Sequence, residues 1–278
     1  MTFTKEKLSF FATFIEQNLG IVYSEINYFQ LEMRLNDIMS FLGFNSPDEM
    51  YSSAVQGISG SFRELLLDAA TNNETSFFRD PSAFQIILDQ LIRPQIATFS
   101  SSVPYRIWSA ACSNGQEPYS LAMMLSHEFG SLFPGCFEIL ATDFSTRVLN
   151  YAKLGRYSQL EVQRGLPIHY LLNFFSKIVG ERGEDVWQLK HELQRPITFK
   201  QMNLLEKSPD SEKFNLILCR NMLIYQNVEN KKYILSRITN CLHKGGYLVM
   251  GAAESLIGLS DDYDLVSFDR VVLYRKKD

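Results

Sequence analysis

Residues 105–129 read YRIWSAACSNGQEPYSLAMMLSHEF. A short β-rich run (105–110) gives way to a loop of small residues containing Gly115, and then to a helical stretch with Glu117 and Pro118 in its first turn. The same alternation recurs downstream. FEILATD (137–143) precedes the helical STRVLNYAKL (145–154), FNLILCR (214–220) precedes VENKKYILSRITNCL (228–242), and GYLVMGA (246–252) follows. Strand and helix alternating at this spacing predict βαβ units, hence an α/β fold with a mostly parallel sheet. RVVLYRK (270–276) is expected as a last, antiparallel edge strand.

One segment breaks the rhythm. Residues 156 to 200 are too long for a single crossover and hold alternating runs, DVWQLKHEL and PITFKQM, with the turn-prone GERGED (180–185) before them. A small antiparallel β insertion is expected there. Upstream, residues 1–70 show helical spacing, with Leu8, Phe11, Phe14 and Ile15, then Leu31, Leu35, Ile38, Met39 and Leu42. SPDE (46–49) reads as a helix start, with Ser46 as cap, Pro47 in the first turn and Glu49 completing a capping box. An all-helical N-terminal domain is expected.

The chain of 278 residues is 46% apolar and 21% charged, ordinary values for a globular protein. Its apolar runs fall far short of the roughly 20 residues of a membrane span, and no secretory signal is visible, so a cytoplasmic protein without membrane insertion is expected. Cys112, Cys136, Cys219 and Cys241 are scattered, which indicates neither disulfides nor a metal site. The net charge of -4 argues against a nucleic-acid partner. Residues 1–69 hold four basic and nine acidic residues, and the remainder is nearly neutral.

In an open parallel sheet the ligand sits beyond the carboxyl ends of the strands. After the first strand, the loop at 111–117 is neither a dinucleotide-binding glycine motif nor a phosphate loop, and Glu117 would repel a phosphate. Asp143 ends the second strand, where a carboxylate accepts from ribose hydroxyls; it or Ser145 would equally cap the following helix. Asn203 and Asn221 stand at later strand ends and suit either an adenine edge or an ordinary turn. A nucleoside ligand without a phosphate cluster, S-adenosylmethionine foremost, fits this set.

TNNETSFFRD (71–80), WSAACSNGQEPYSLAM (108–123), ATDFSTRVL (141–149), RGLP (164–167), NLLEK (203–207), CRNMLIY (219–225) and HKGGYLVMGAAESL (243–256) resemble, in order, the successive motifs of the CheR family of chemotaxis protein-glutamate methyltransferases. The resemblance implies a seven-stranded methyltransferase domain over 82–278, joined by an interdomain segment (71–81) to the helical domain. It implies methyl transfer from S-adenosylmethionine to glutamate side chains of chemoreceptors, leaving S-adenosylhomocysteine. Asn73, Thr75, Arg79, Glu117, Asp143, Asn203, Leu204, Asn221 and Met222 would line the cofactor site, with Arg79 and Tyr225 nearest the chemistry. Without the family, Arg79 reads as a cap on the preceding helix and Tyr225 as an aromatic covering a strand end.

The implied chemistry needs little machinery. A glutamate side chain has a reference pKa of roughly 4.3, so it arrives as a nucleophile and no general base is required. Some features depart from the family. SNGQE replaces the usual Thr and second acid before the glutamate, and the second helix, basic in well-known members, offers only Arg34. The insertion resembles a subdomain that in some members binds a receptor C-terminal peptide by strand addition. A monomer is expected. Rival readings are a methyltransferase for small molecules or nucleic acid, and a signalling adaptor that binds without turnover.

Overall fold

The computed structural model describes residues 2–100, 102–180, 183–209, 213–269 and 271–278. They divide into a unit made of Met1–Asn72 with Ile224–Tyr233 and a second made of Asn73–Leu223 with Ile234–Asp278.

The first unit holds helices α1 (Lys5–Leu19), α2 (Tyr28–Leu42), α3 (Pro47–Gln56) and α4 (Gly60–Ala70). Their apolar stripes meet: Leu8, Phe11 and Ile15 from α1, Leu31, Leu35 and Ile38 from α2, Leu66 and Leu67 from α4 are all buried. Burying each such side chain stabilises by roughly 1.5–3 kcal/mol. Ser46 caps α3 as expected, its hydroxyl accepting from Glu49 N at 3.1 Å. The reciprocal arm reaches one residue further than in a regular capping box, since the Glu49 carboxylate accepts from Asn45 N. Residues 224–233 were not expected in this unit. They join it through an isolated bridge between Ile21 and Gln226 and a 3.0 Å bond from Gln226 Nε2 to the Leu19 carbonyl.

The second unit contains α5 (Pro81–Ile86), α6 (Gln116–Phe129), α7 (Phe133–Cys136), α8 (Thr146–Leu154), α9 (Gln159–Gln163), α10 (Ile168–Phe174), α11 (His191–Gln194) and most of α12 (Val228–Cys241). Its main sheet uses β1 (Tyr105–Ala110), β2 (Phe137–Asp143), β6 (Ile197–Gln201), β7 (Phe214–Cys219), β8 (Leu242–Met250), β9 (Tyr263–Phe268) and β10 (Val271–Lys276). The strand order is β6-β2-β1-β7-β8-β10-β9. Successive residues of the central strands feed opposite layers: Ile107 and Leu216 pack into one core, Trp108 and Ile217 into the other. Burial on both faces explains the unbroken apolar runs.

The first five strands in this order are parallel, and their registers align Gln201, Asp143, Ala110, Cys219 and Met250 along one rim. β1 is the switch point, with β2 on one side and β7 on the other. β10 is antiparallel as expected, yet it lies inside the sheet between β8 and β9, and β9 forms the edge. All four cysteines are buried and free.

The insertion is a three-stranded antiparallel sheet, β3 (Arg156–Ser158), β5 (Asp185–Leu189) and β4 (Phe175–Val179) in spatial order. Of the turn expected at GERGED, Glu181 and Arg182 lie outside the described residues. The run PITFKQM leaves the insertion: Ile197–Gln201 is β6, parallel to β2 in the main sheet. No described helix is long and apolar enough to cross a membrane.

Candidate active site

The chain leaves β1 through a loop that turns sharply in small steps. Ala111, Ser113 and Gly115 all have positive φ, at 63°, 51° and 90°. Non-glycine residues in that region cost energy, and such cost collects where backbone geometry serves a site. Asp143, at the tip of β2, holds the loop: its Oδ2 accepts from Ser113 N at 2.8 Å and its Oδ1 from Ser145 N at 3.0 Å. Ser145 takes the helix cap, accepting from Val148 N at 3.3 Å. The carboxylate is therefore not the cap of α8. Tyr157, from the insertion, donates to the Asn114 carbonyl at 2.8 Å.

Residues 73–80 run across this loop as a strap. Ser113 Oγ donates to the Asn73 carbonyl at 2.8 Å, and Phe78 N donates to Ser120 Oγ at 2.9 Å. Phe77 is fully buried, edge-on to Tyr157 at 4.9 Å, and Phe78 stacks on Tyr170 at 4.8 Å. Gly165 of the RGLP motif lets the strap pass. A Cβ there would stand 2.2 Å from the Phe77 carbonyl oxygen. Glu74 pairs with Arg164 at the surface. The two phenylalanines thus anchor a polar segment, as TNNETSFFRD requires.

Glu117, in the first turn of α6, accepts from Ser109 Oγ at 2.7 Å and pairs with Arg220 Nη1 at 3.2 Å. Arg220 follows β7 directly and is buried. Next to it Asn221 has φ 57°, and its N–H donates to Glu254 Oε2 at 2.7 Å; the same oxygen accepts from Gly251 N at the end of β8. Asn203 forms the turn after β6, accepting from Leu205 N at 3.1 Å, and Met202 N donates to the Asp143 carbonyl at 2.9 Å.

The structure thereby gathers Asn73, Thr75, Glu117, Asp143, Asn203, Leu204, Asn221 and Met222 on the strap and the strand-end loops of the second unit. Leu204 and Met222 are half-buried against the core. Arg79 is on the strap but exposed, its Nη1 donating to the Glu74 carbonyl at 3.3 Å. Tyr225 belongs to the first unit, its hydroxyl accepting from Asn72 Nδ2 at 2.8 Å. Sequence reasoning missed Ser113, Arg220 and Glu254. An arginine directly after an all-apolar strand was the available signal for Arg220, since a buried guanidinium implies carboxylate partners nearby.

Burial first, and then the Asp143 and Glu117 carboxylates, push the Cys112 thiol well above the ordinary thiol range. It is a neutral packing group, not a nucleophile. The histidines stand elsewhere, with His127 in the last turn of α6 facing His169, His191 opening α11 and His243 in β8. Among the described residues no group of side chains is arranged to hold a metal ion.

A seven-stranded sheet with β10 antiparallel beside β8, an acid at the tip of β2 and a small-residue loop after β1 make the architecture of an S-adenosylmethionine-dependent methyltransferase. Residues 73–272 match the family model described as CheR methyltransferase, SAM binding domain. Chemotaxis protein methyltransferase 1 of Pseudomonas aeruginosa is 38% identical over 271 residues, covering 96% of each chain. Chemotaxis protein methyltransferase of Vibrio parahaemolyticus is 33% identical over 280 residues, covering 100% of this chain and 99% of that one. The chain belongs to the CheR methyltransferase family. Among solved structures, N-methyltransferase NodS from Bradyrhizobium japonicum with S-adenosyl-L-homocysteine aligns at TM-score 0.41 and 15% identity, over 72% of this chain and 91% of that one. That likeness is too slight to bear on function.

The cofactor of this family's domain is S-adenosylmethionine. The residues at the rim fit it. Gln116 Oε1 and Arg220 Nε are buried without a partner among the described residues, and they flank Glu117 and Asn221 in sequence. Buried polar atoms normally find partners, so an unmatched acceptor and donor at these loops suit a polar ligand or water.

Proposed function

We propose that the protein transfers the methyl group of S-adenosylmethionine to glutamate side-chain carboxylates of chemoreceptor cytoplasmic domains, forming methyl esters. One observation carries this reading: among the described residues of the rim, the acids and the thiol are all engaged in holding the structure rather than set to act as a general base. Glu117 is committed to Arg220 and Ser109, Asp143 to two backbone amides, and Cys112 is held neutral. A nucleophile used here must arrive with its attacking lone pair already free of a proton. A carboxylate does so at neutral pH, whereas a hydroxyl does not. The naming of the relatives as chemotaxis methyltransferases supports receptors as the source of that carboxylate.

When bound, S-adenosylmethionine supplies an electrophilic methyl group on a positively charged sulfur. The strap residues Asn73, Thr75 and Arg79 would cover it and exclude water, and Asp143 would hold its ribose. Glu117, Asn203, Leu204, Asn221 and Met222 would complete the walls. Arg79 is exposed, with its guanidinium held to the Glu74 carbonyl by a 3.3 Å bond and close enough to the Glu74 carboxylate to interact with its charge, and its planar fork suits a carboxylate of cofactor or substrate. Tyr225 would serve as a hydrogen-bond donor in the reaction. Two opposite charges are lost in the transfer, so a dry, aligned site favours it.

The helical N-terminal domain (1–70) takes part in receptor docking, and the interdomain segment (71–81) links it to the methyltransferase domain (82–278). β4, whose Val179 is exposed, fits strand addition by a receptor C-terminal peptide. The protein acts in the cytoplasm as a monomer. The test is incubation with methyl-labelled S-adenosylmethionine and receptor-rich membranes, followed by mild base. Ester label leaves as volatile methanol. Label that survives base overturns the carboxylate reading, and absence of label despite cofactor binding overturns turnover.

A further inference from the structure

Arg220 is the most deeply placed cation at the rim, with only 3% of its side chain exposed. Its guanidinium ties the end of β7 to two other stretches of chain, α6 and the strap with the start of α5. Nη1 meets Glu117 at 3.2 Å on α6, while Nη2 donates to the Arg79 carbonyl at 2.7 Å and pairs with Asp80 on the strap. The guanidinium carbon stands 5.8 Å from the Phe84 ring centre on α5. The strap is bent at this point, with Phe78 at φ 46° and Asp80 at φ 61°, and such a bend persists only where surroundings enforce it.

The geometry points to Arg220 as a positioning residue for methyl transfer: it holds Glu117 and the Arg79–Asp80 bend where the cofactor needs them. The inference rests on the cofactor site proposed above. A purely stabilising role is the weaker account. Buried ion pairs add little net stability over apolar packing, and this one leaves Nε without a partner among the described residues. Lysine cannot replace the fork, because one ammonium does not span an α6 carboxylate and two strap acceptors.

The test titrates S-adenosylhomocysteine by calorimetry into wild-type protein, Arg220→Gln and Arg220→Lys, with hydrogen exchange of residues 74–80 followed in the ligand-free proteins. The expected result is at least a tenfold loss of affinity for Arg220→Gln, about fivefold for Arg220→Lys, and faster exchange along the strap in both. In turnover, KM for S-adenosylmethionine should rise more than kcat falls. A fraction of misfolded protein would instead lower kcat at constant KM. Should Arg220→Gln fail to fold, Arg220→Lys decides. Binding within twofold of wild type, or weakened binding with unchanged strap exchange, overturns the inference. No binding by wild type overturns the cofactor site itself.

Discussion

Replacing Asp143 by alanine removes the acceptor from two backbone N–H groups at once, those of Ser113 and Ser145. Ser145 is fully buried and Ser113 is 9% exposed, so water is a poor substitute at either. An orphaned buried donor costs about 1–3 kcal/mol, which gives about 2–6 kcal/mol for Asp143→Ala. Asp143→Asn keeps one carbonyl oxygen and turns its NH₂ toward the other amide, so about 1–3 kcal/mol is expected. Whole-protein stabilities run at about 5–15 kcal/mol, so the alanine variant should be marginal and the asparagine variant folded. Urea unfolding is the assay. Trp108 fluorescence is a suitable signal, because this buried indole donates to Thr142, the neighbour of Asp143, at 2.9 Å. A loss under about 0.5 kcal/mol for alanine, or equal losses for the two variants, would refute the claim that one carboxylate holds two amides. Cofactor affinity is then compared on Asp143→Asn, where an additional loss reports the ribose contact.

Other outcomes follow from the same geometry. Phe77→Ala should cost about 3–5 kcal/mol, or open the strap locally so that proteolysis begins at 73–80; a change under 1 kcal/mol with an intact strap contradicts the anchor role. Gly165→Ala, at φ 87° with the Phe77 carbonyl in its way, should destabilise by about 1 kcal/mol or more, and neutral behaviour in thermal unfolding contradicts it. Burial, with Lys213, Arg106 and Lys276, holds His243 below its ordinary value. Its contribution is therefore complete above about pH 6.5 and is lost as pH falls from there toward the folded value, so His243→Gln should flatten that slope. The imidazole is exposed, so the effect is small and fades in salt; coincident profiles for the two proteins from about pH 7 to 5 contradict it. Arg34, the basic residue of α2, is turned inward onto Ala70 O and Tyr23, while Ile26, Phe29, Met33 and Phe41 are exposed. Receptor methylation should accordingly change less than about twofold between roughly 50 and 300 mM salt, and a steep fall would reinstate electrostatic docking.

What the sequence disclosed and what it hid have physical reasons. The β1–loop–α6 unit was legible because periodicity changes at Gly115 and both faces of the strand are buried. TNNETSFFRD was legible as an anchored polar segment because Phe77 and Phe78 have no place in a solvated linker. Tyr263–Phe268 was missed because an edge strand alternates weakly, and that moved the expected edge one strand inward. The choice between Asp143 and Ser145 as cap depended on two backbone amides, one of them 30 residues away in sequence. Gln226 reaches Leu19 across 207 residues, a contact that no local pattern encodes. Asn203 and Asn221 illustrate the converse. Their turn geometry is plain in the structure, while any ligand contact depends on a partner outside the chain.

The proposed cofactor site is the rim formed by β1, β2 and β7, with residues 73–80 closed over it. A crystal structure of the protein with S-adenosylhomocysteine tests this most directly. The expected result is ribose hydroxyls on the Asp143 carboxylate and the strap in van der Waals contact with the ligand. A ligand bound elsewhere, or a rim that stays packed by Glu117, Arg220 and Asn203 while the ligand is refused, would contradict it.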